Sequence, residues 1–592
     1  MRVGSTVVLG PVWSVEKHCE PGQCGDARQD IWLSATWRRA SKWVNSSSGI
    51  LGSATLRRIT VCSGGAPKRG PAAARCHTQR VTASASVELG GPLRIEDVVE
   101  IARGARATLS DDVLGRVDAA RQVVVAAVEA GSVVYGVTTG FGFLANVRLT
   151  PDHSTALQHG LLRSHAVAVG NELSAEEVRA MLALRAHVLA LGYSGVRRDV
   201  VLRFVEMLDR DFLPVVPEQG SLGASGDLAP LAHLALPVIG EGEVHLAGER
   251  LPAIEALRRC DLEPLVLEAK EGLALINGTQ GMTAIGVLAA WRAGRLAKIA
   301  DISAALTIEA ILGTDRAFDP RVVGLRPHPG QLASARNLVR LLAGSEILSS
   351  HRKSDHIVQD AYSIRCAPQV HGAFRDVVGH SVETLEIELA SVSDNPVVLA
   401  ETGEILSGGN FHGQPVALAC DSLAAATVGL ASISERRLYR LLDPNTSNGL
   451  PAFLVGEAGV NSGLMACQYT AASLVSEMKS LAHPAAVDSI TSSAGQEDHV
   501  SMGMISARHA RECIRDAEAA IAMEVLAAAQ ACDLRAPLRA GPGTRAAIAS
   551  LRRVVPTLVH DRALKPDVDA TIALLRSGEL IAAVEFEIGP LE

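Results

Sequence analysis

Residues 505–533 read ISARHARECIRDAEAAIAMEVLAAAQACD, and this stretch decides the fold class. Ala, Leu, Met, Glu, Arg and Gln dominate it, all good helix formers, and neither Gly nor Pro interrupts it. A helix of that length exceeds the usual globular one, so it predicts a rod that needs other rods beside it. Similar Ala/Leu-rich periodic stretches recur at 281–312, 332–348, 376–391, 415–442 and 460–482, and two more follow at 543–554 and 567–584. Further upstream, Ser174-Ala-Glu-Glu177 has the form of a capping box. After it, Met181, Leu184, Val188 and Leu191 fall on one helical face. The expected class is mainly α, a bundle of long helices.

Composition agrees. The chain has 592 residues, 48% of them hydrophobic and only 3% aromatic. That apolar fraction excludes disorder along the whole length. A net charge of -8 leaves no basic footprint, so nucleic acid is not an expected partner. The longest uncharged runs, Gly272–Trp291 and Ala458–Ser476, are long enough to cross a membrane. Asn277, Thr279 and Gln280 interrupt the first and Asn461, Gln468 and Thr470 the second, so both read as buried helices and no membrane association is expected. The ten cysteines show no metal spacing, and the chain has no His-Glu-x-x-His pattern, so no metal is expected. Unpatterned cysteines fit a reducing, cytoplasmic setting.

The first 85 residues differ from the rest. They carry 12 Lys+Arg against 4 Asp+Glu, a balance of +8 that leaves -16 for the remainder. Four of the five Trp sit there, without sustained helical or strand period. Residues 1–85 are therefore expected to be a disordered or non-native extension. The expected division of the remainder is an N-terminal domain at 86–280 and a bundle with C-terminal helices at 281–592.

Chemistry should lie in the polar, Gly-bearing interruptions between the helices. The most informative is Gly220-Ser-Leu-Gly-Ala-Ser-Gly-Asp-Leu-Ala-Pro230. It lacks the spacing of a G-x-S-x-G nucleophile elbow. By composition it is a turn before a helix, with Asp227 as the cap. Small neighbours also permit a rarer outcome, in which the Gly226 nitrogen attacks the Ala224 carbonyl. Loss of water from that ring and from Ser225 would leave a methylidene-imidazolone, an electrophile that no ordinary side chain provides. Gly140-Phe-Gly-Phe-Leu-Ala145 matches a dinucleotide loop by spacing, but Pro151 and the want of a clear following helix argue against it.

From about residue 86 onward the chain resembles the histidine and aromatic amino-acid ammonia-lyases, which form that prosthetic group autocatalytically from Ala-Ser-Gly. Alongside Ala224-Ser225-Gly226, the resemblance rests on Tyr135-Gly-Val-Thr-Thr-Gly-Phe-Gly142, Lys270-Glu-Gly-Leu-Ala-Leu-Ile-Asn-Gly-Thr279 and Gln359-Asp-Ala-Tyr-Ser-Ile-Arg-Cys366. Ser393-Asp-Asn-Pro396, Gly408-Gly-Asn-Phe-His412 and Gln496-Glu-Asp-His-Val-Ser501 complete it in order. The resemblance implies an ammonia-lyase/fumarase-like fold, with a smaller mixed N-terminal domain carrying the site loops, and no external cofactor.

The same resemblance implies the roles. Tyr135 is expected as the catalytic base, although a phenol near pKa 10 needs dipoles or cations to act at neutral pH. Arg365 is expected on the substrate carboxylate, which its planar fork suits. The Tyr362-x-x-Arg365 spacing puts Tyr362 on the same helical face, near the leaving amine. Asn277 and Gln359 resemble polar positioning groups, and Phe411 resembles the ring that shields the electrophile. Ser164-His165 matches the histidine branch, with His165 and Glu477 on the imidazole. The implied reaction converts L-histidine to trans-urocanate and ammonia in a homotetramer with shared sites. An aromatic amino-acid lyase or a 2,3-aminomutase on the same scaffold is the nearest rival, and Arg163-Ser-His165 is compatible with the aminomutase. A non-catalytic helical assembly is the third reading.

Overall fold

The structure is a computed structural model that describes residues 86–592 except 143–145, 149–150 and 355–357. The expectation for residues 1–85 lies outside the described residues.

Eight helices matter here: α1 (Pro151–His165), α2 (Ala175–Ala190), α3 (Leu228–Ala235), α4 (Gln280–Ala310), α5 (Ala367–Leu389), α6 (Gln414–Leu442), α7 (Met465–Leu481) and α8 (Gly503–Asp533). The mainly α class expected from the helical stretches is the one observed. α4 and α8 each run 31 residues and α6 runs 29, so each rod is about 45 Å long at about 1.5 Å per residue. α8 lies against α4, α6 and α7, while α5 packs on α4 and α6. Their contact faces are rich in alanine, including Ala517, Ala520, Ala527 and Ala528 on α8, all fully buried. Small side chains let long helices approach closely along their whole length.

A polar spine runs through this apolar packing. On α8, Glu524 is fully buried and accepts from Thr307 of α4 at 2.7 Å and from Ser434 of α6 at 2.6 Å. Arg437 of α6 donates to the same carboxylate, and its Nη1 lies 3.2 Å from His371 of α5. His371 in turn meets Asp301 of α4 at 2.8 Å. A slip of one helix past another would strand one of these buried charges, which costs several kcal/mol. The spine therefore fixes the register that alanine packing alone leaves loose.

Strands are few and short. Val169–Glu172 pairs antiparallel with Pro217–Gln219, and Leu213–Pro214, Glu243–Leu246 and Glu249–Pro252 form a second antiparallel sheet. The first pair holds the chain in place just before the loop at 220–226. One apolar core runs from Val87 to Leu591. Among the described residues only α6 is long and apolar enough to cross a membrane, and most of its apolar window packs inside the protein.

Several expectations change in detail. The capping box at Ser174 is present, with Glu177 Oε2 accepting from the Ser174 amide at 2.7 Å. Yet α2 buries every residue from Glu177 to Ala190, including Arg179, Arg185 and His187, rather than one face. The stretch at 567–584 is two helices, because Gly578 at φ +88° turns the chain between Lys565–Ser577 and Glu579–Ile588. A helix, α1, does follow the Gly140 region, so that ground for rejecting a dinucleotide loop fails. The described residues ahead of it form a single bridge, Thr139 to Arg148, rather than the strand such a loop requires.

Candidate active site

The loop at 220–226 closes into a tight buried turn. Gly226 donates its amide to the Gly223 carbonyl at 3.4 Å, and Ser225 has φ +53°. Gly226, at φ +82°, lies against Gly278 so closely that a Cβ there would stand 2.1 Å from the Gly278 oxygen. Two hydrogen bonds lock this approach, from the Asp227 amide to Gly278 O at 2.8 Å and from the Gly278 amide to Ser225 O at 3.2 Å. Ring closure between residues 224 and 226 needs small side chains and a folded backbone, and this turn has both. The tripeptide fits the prosthetic group expected from the sequence.

Asp227 departs from its expected role. It stands at the N-cap position of α3, but its side chain makes no cap hydrogen bond there. Its carboxylate instead accepts from the Met282 amide of α4 at 2.7 Å and from Ser221 Oγ at 3.0 Å. It thereby satisfies the free amides at the start of a longer helix and ties that helix to the turn. Burial outweighs these donors and pushes the carboxyl up to about 6.

Asn277 is buried beside the turn. Its Nδ2 donates to the Asn395 carbonyl at 3.2 Å, and its own carbonyl accepts from Arg185 at 2.9 Å. Its Oδ1 is buried without a hydrogen-bond partner, an acceptor free to position a polar ligand. Around it the separated sequence motifs converge. Arg185 also reaches Gln280 at 2.7 Å, Gln280 reaches Ser393 at 2.7 Å, and Asn395 Oδ1 accepts from the Gly408 amide at 2.8 Å. Lys270 and Asp394 form a fully buried ion pair at 2.7 Å, and burial draws the ammonium below its ordinary pKa. Lys270 and Asp394 stand inside two of the motifs, but nothing in the sequence pairs them. Arg185, one of several polar residues that α2 buries, gave no signal of its role.

The Gln496–Ser501 string joins two parts of the site. At its far end, Val500 and Met502 pack on Ala224, and a Cβ on Gly223 would stand 2.3 Å from Ser501 Oγ. His412, next to the half-buried Phe411, stacks on His499 with ring centres 5.8 Å apart. At its near end, Glu497 faces Gly142 and Tyr135. The Tyr135 hydroxyl accepts from the Gly142 amide at 3.1 Å. Burial and then Glu497 raise the phenol, and this single amide opposes them. Of the dipoles expected at Tyr135, the Gly142 amide is the one observed among the described residues.

His165 closes the last turn of α1. Its Nδ1 lies 2.9 Å from the Leu161 carbonyl and 3.0 Å from Ser164 Oγ, and a proton donated to that carbonyl leaves Nε2 as the acceptor. Phe141 meets the imidazole edge-on at 5.9 Å. Tyr135, Phe141 and His165 therefore share one neighbourhood.

Among the described residues no contact draws Gln359, Tyr362, Arg365 or Glu477 to the turn. Tyr362 and Arg365 do share a face, with the guanidinium 4.6 Å over the ring. Tyr362 is 71% exposed, and Gln359 and Glu477 are exposed too. Arg365 Nε is buried without a partner, a donor that suits an anion. Glu477 accepts from Ser473 of its own helix at 3.5 Å and raises the pKa of Asp516 on α8 by its charge. Among the described residues no cluster of three His, Cys, Asp or Glu could hold a metal.

Comparison with known proteins shows what the chain as a whole resembles. The family model described as aromatic amino acid lyase matches residues 93–553. The chain is 54% identical to a histidine ammonia-lyase of Symbiobacterium thermophilum over 508 residues, 86% of this chain and 100% of that protein. It is 52% identical to the histidine ammonia-lyase of Sorangium cellulosum over 512 residues, 85% of this chain and 99% of that one. Among solved structures, histidine ammonia-lyase from Trypanosoma cruzi superposes with a TM-score of 0.79 at 41% identity, covering 85% of this chain and 96% of that one. Tyrosine aminomutase from Streptomyces globisporus superposes with a TM-score of 0.81 at 37% identity, covering 86% and 100%.

Proposed function

The chain belongs to the aromatic amino acid lyase family, and we propose that it eliminates ammonia from L-histidine to give trans-urocanate. The observation that carries this reading is the turn at 223–226, where Gly226 is pressed onto Gly278 and Ser225 holds a positive φ. A methylidene-imidazolone formed from Ala224, Ser225 and Gly226 supplies, when present, an electrophile for the substrate amine, with no external cofactor. Asn277 Oδ1 offers an acceptor beside it, and Phe411 screens the turn from water. Arg365, with its unpartnered Nε, takes the carboxylate as a bidentate fork, and Gln359 steadies it. Tyr135 removes the β-proton as the carbon–nitrogen bond breaks, and Tyr362 stands near the leaving amine. His165 offers Nε2 to the substrate's ring N–H, while Glu477 balances charge on the imidazole.

Gln359, Tyr362 and Glu477 point outward from the single chain. A site that uses them is completed by other copies, which supports a homotetramer with shared sites. The same assembly would bring further dipoles or cations to Tyr135, whose own chain raises its pKa. A cytoplasmic place in histidine breakdown goes with this reading, and Cys366, Cys420, Cys467, Cys513 and Cys532 are thiols suited to it.

The test is turnover by the purified protein on histidine, tyrosine and phenylalanine, with ammonia and near-ultraviolet absorbance followed together. Histidine should be the preferred substrate, and Ser225→Ala should abolish turnover while the protein stays folded. Preference for tyrosine or phenylalanine overturns the substrate assignment. The fold likeness to a tyrosine aminomutase keeps a 2,3-aminomutase as the second reading, and a β-amino acid formed without net ammonia would select it.

A further inference from the structure

Trp291, on α4, is the one tryptophan among the described residues. Two guanidinium groups lie over its ring, Arg103 at 4.1 Å and Arg295 at 4.7 Å from the centroid. With Arg292, Arg576, Glu176 and Glu518 they line a cavity of about 250 Å³. Four arginines thus face two carboxylates. Glu518 is already shared, taking Arg292 Nε at 2.9 Å and Arg576 Nε at 2.7 Å. Glu176 stands 3.9 Å from Arg103, at the outer limit of an ion pair. Arg295 donates to backbone instead, to the Arg576 carbonyl at 2.9 Å and the Leu575 carbonyl at 3.3 Å. The C-terminal end of the helix Lys565–Ser577 offsets part of its charge. Burial holds its pKa below the ordinary value, Arg103 and Arg292 lower it further, and Glu518 opposes them.

We propose that this cavity binds a small multivalent anion, carrying a phosphate group or clustered carboxylates, against the wall formed by Trp291. Guanidinium forks match both oxygen geometries and can bind either bidentately. An anion between Arg103 and Arg295 would offset their mutual repulsion, while the indole face keeps both cations aligned through its quadrupole. Sites of this composition select charge of two or more, since a monovalent ion would leave one guanidinium unanswered. None of these residues is assigned to the elimination, so binding here does not depend on the proposed substrate.

Isothermal titration calorimetry of the full chain with inorganic phosphate, and separately with citrate, at fixed ionic strength tests this. Saturable binding in the millimolar range or tighter is expected from at least one of them, with tryptophan emission following the same isotherm. Trp291→Phe should abolish the emission response and so locate it, since the other tryptophans lie at 13–43. Arg103→Gln and Arg295→Gln should each weaken binding about tenfold, as expected for a charge-assisted contact, without altering turnover. Binding of phosphate alone assigns a phosphate-bearing ligand, of citrate alone a polycarboxylate, and of both the shared chemistry. Absence of saturation by either, or folded arginine variants that bind as the parent does, overturns the proposal.

Discussion

Replacing Gly226 by alanine strikes the turn where it has least room. The added Cβ would stand 2.1 Å from the Gly278 oxygen and 2.4 Å from its carbonyl carbon. Both are backbone atoms, so no rotamer change relieves the overlap. Residue 226 also sits at φ +82°, a region that costs an L-residue about 1–2 kcal/mol. Relief requires 226 and 278 to separate. That loosens the Asp227–Gly278 bond of 2.8 Å and the Gly278–Ser225 bond of 3.2 Å, each worth about 1 kcal/mol. The total is about 3–4 kcal/mol, confined to one loop. In a chain of this size such a loss lowers the thermal midpoint by only several degrees, so the protein should remain folded. The opened turn no longer brings the Gly226 nitrogen to the Ala224 carbonyl. Peptide mass spectrometry should therefore find the parent lighter than its sequence by roughly two waters and Gly226→Ala at its sequence mass. Calorimetry and turnover complete the assay. A variant with the full mass deficit and near-parental turnover would refute the reasoning, because contact with Gly278 would then not govern ring closure. A collapse of the midpoint would refute the claim that the effect is local.

Further outcomes follow from other residues. His165→Leu should lower kcat/KM on histidine steeply and on phenylalanine less, since an unpaired buried polar group costs about 1–3 kcal/mol only when the ring has nitrogens to satisfy; equal losses would make His165 structural. Deletion of residues 1–80 should leave turnover and thermal midpoint nearly unchanged, because their +8 balance and lack of periodicity suit no buried face; a large drop in the midpoint contradicts that. Asp227 is raised by burial from 3.8 to about 6, so between those values the folded chain holds a proton that the unfolded chain has released. Stability should accordingly fall as pH rises through that window, by about 3 kcal/mol from this group. Asp227→Asn should flatten that slope in denaturant titrations, and an unaltered slope would assign it elsewhere.

The helical rods were legible because their signal is local. Alanine- and leucine-rich runs set helix by propensity even where Gly286, Gly294 and Gly429 fall inside them, and α4, α6 and α8 begin and end within a few residues of the expected limits. The turn was legible for a related reason, since Ala224-Ser225-Gly226 must be small and contiguous for a ring to close. Motifs such as Ser393–Pro396 and Gly408–His412 could be recognised in the sequence. Their meeting around Asn277 could not, because it depends on hydrogen bonds between residues more than a hundred positions apart.

What the sequence by itself determined is the set of elements and the chemical groups available, for both follow from neighbours along the chain. Only the tertiary structure decided where those groups act. It turned the Asp227 carboxylate away from its own helix and onto α4, paired Lys270 with Asp394, and set four arginines around Trp291. It also left Gln359, Tyr362 and Glu477 facing outward while Asn277 and the turn went inside. Burial is the reason for the difference. A side chain's pKa, its partners and its access to substrate depend on what the whole fold packs against it, and no periodicity in the sequence records that.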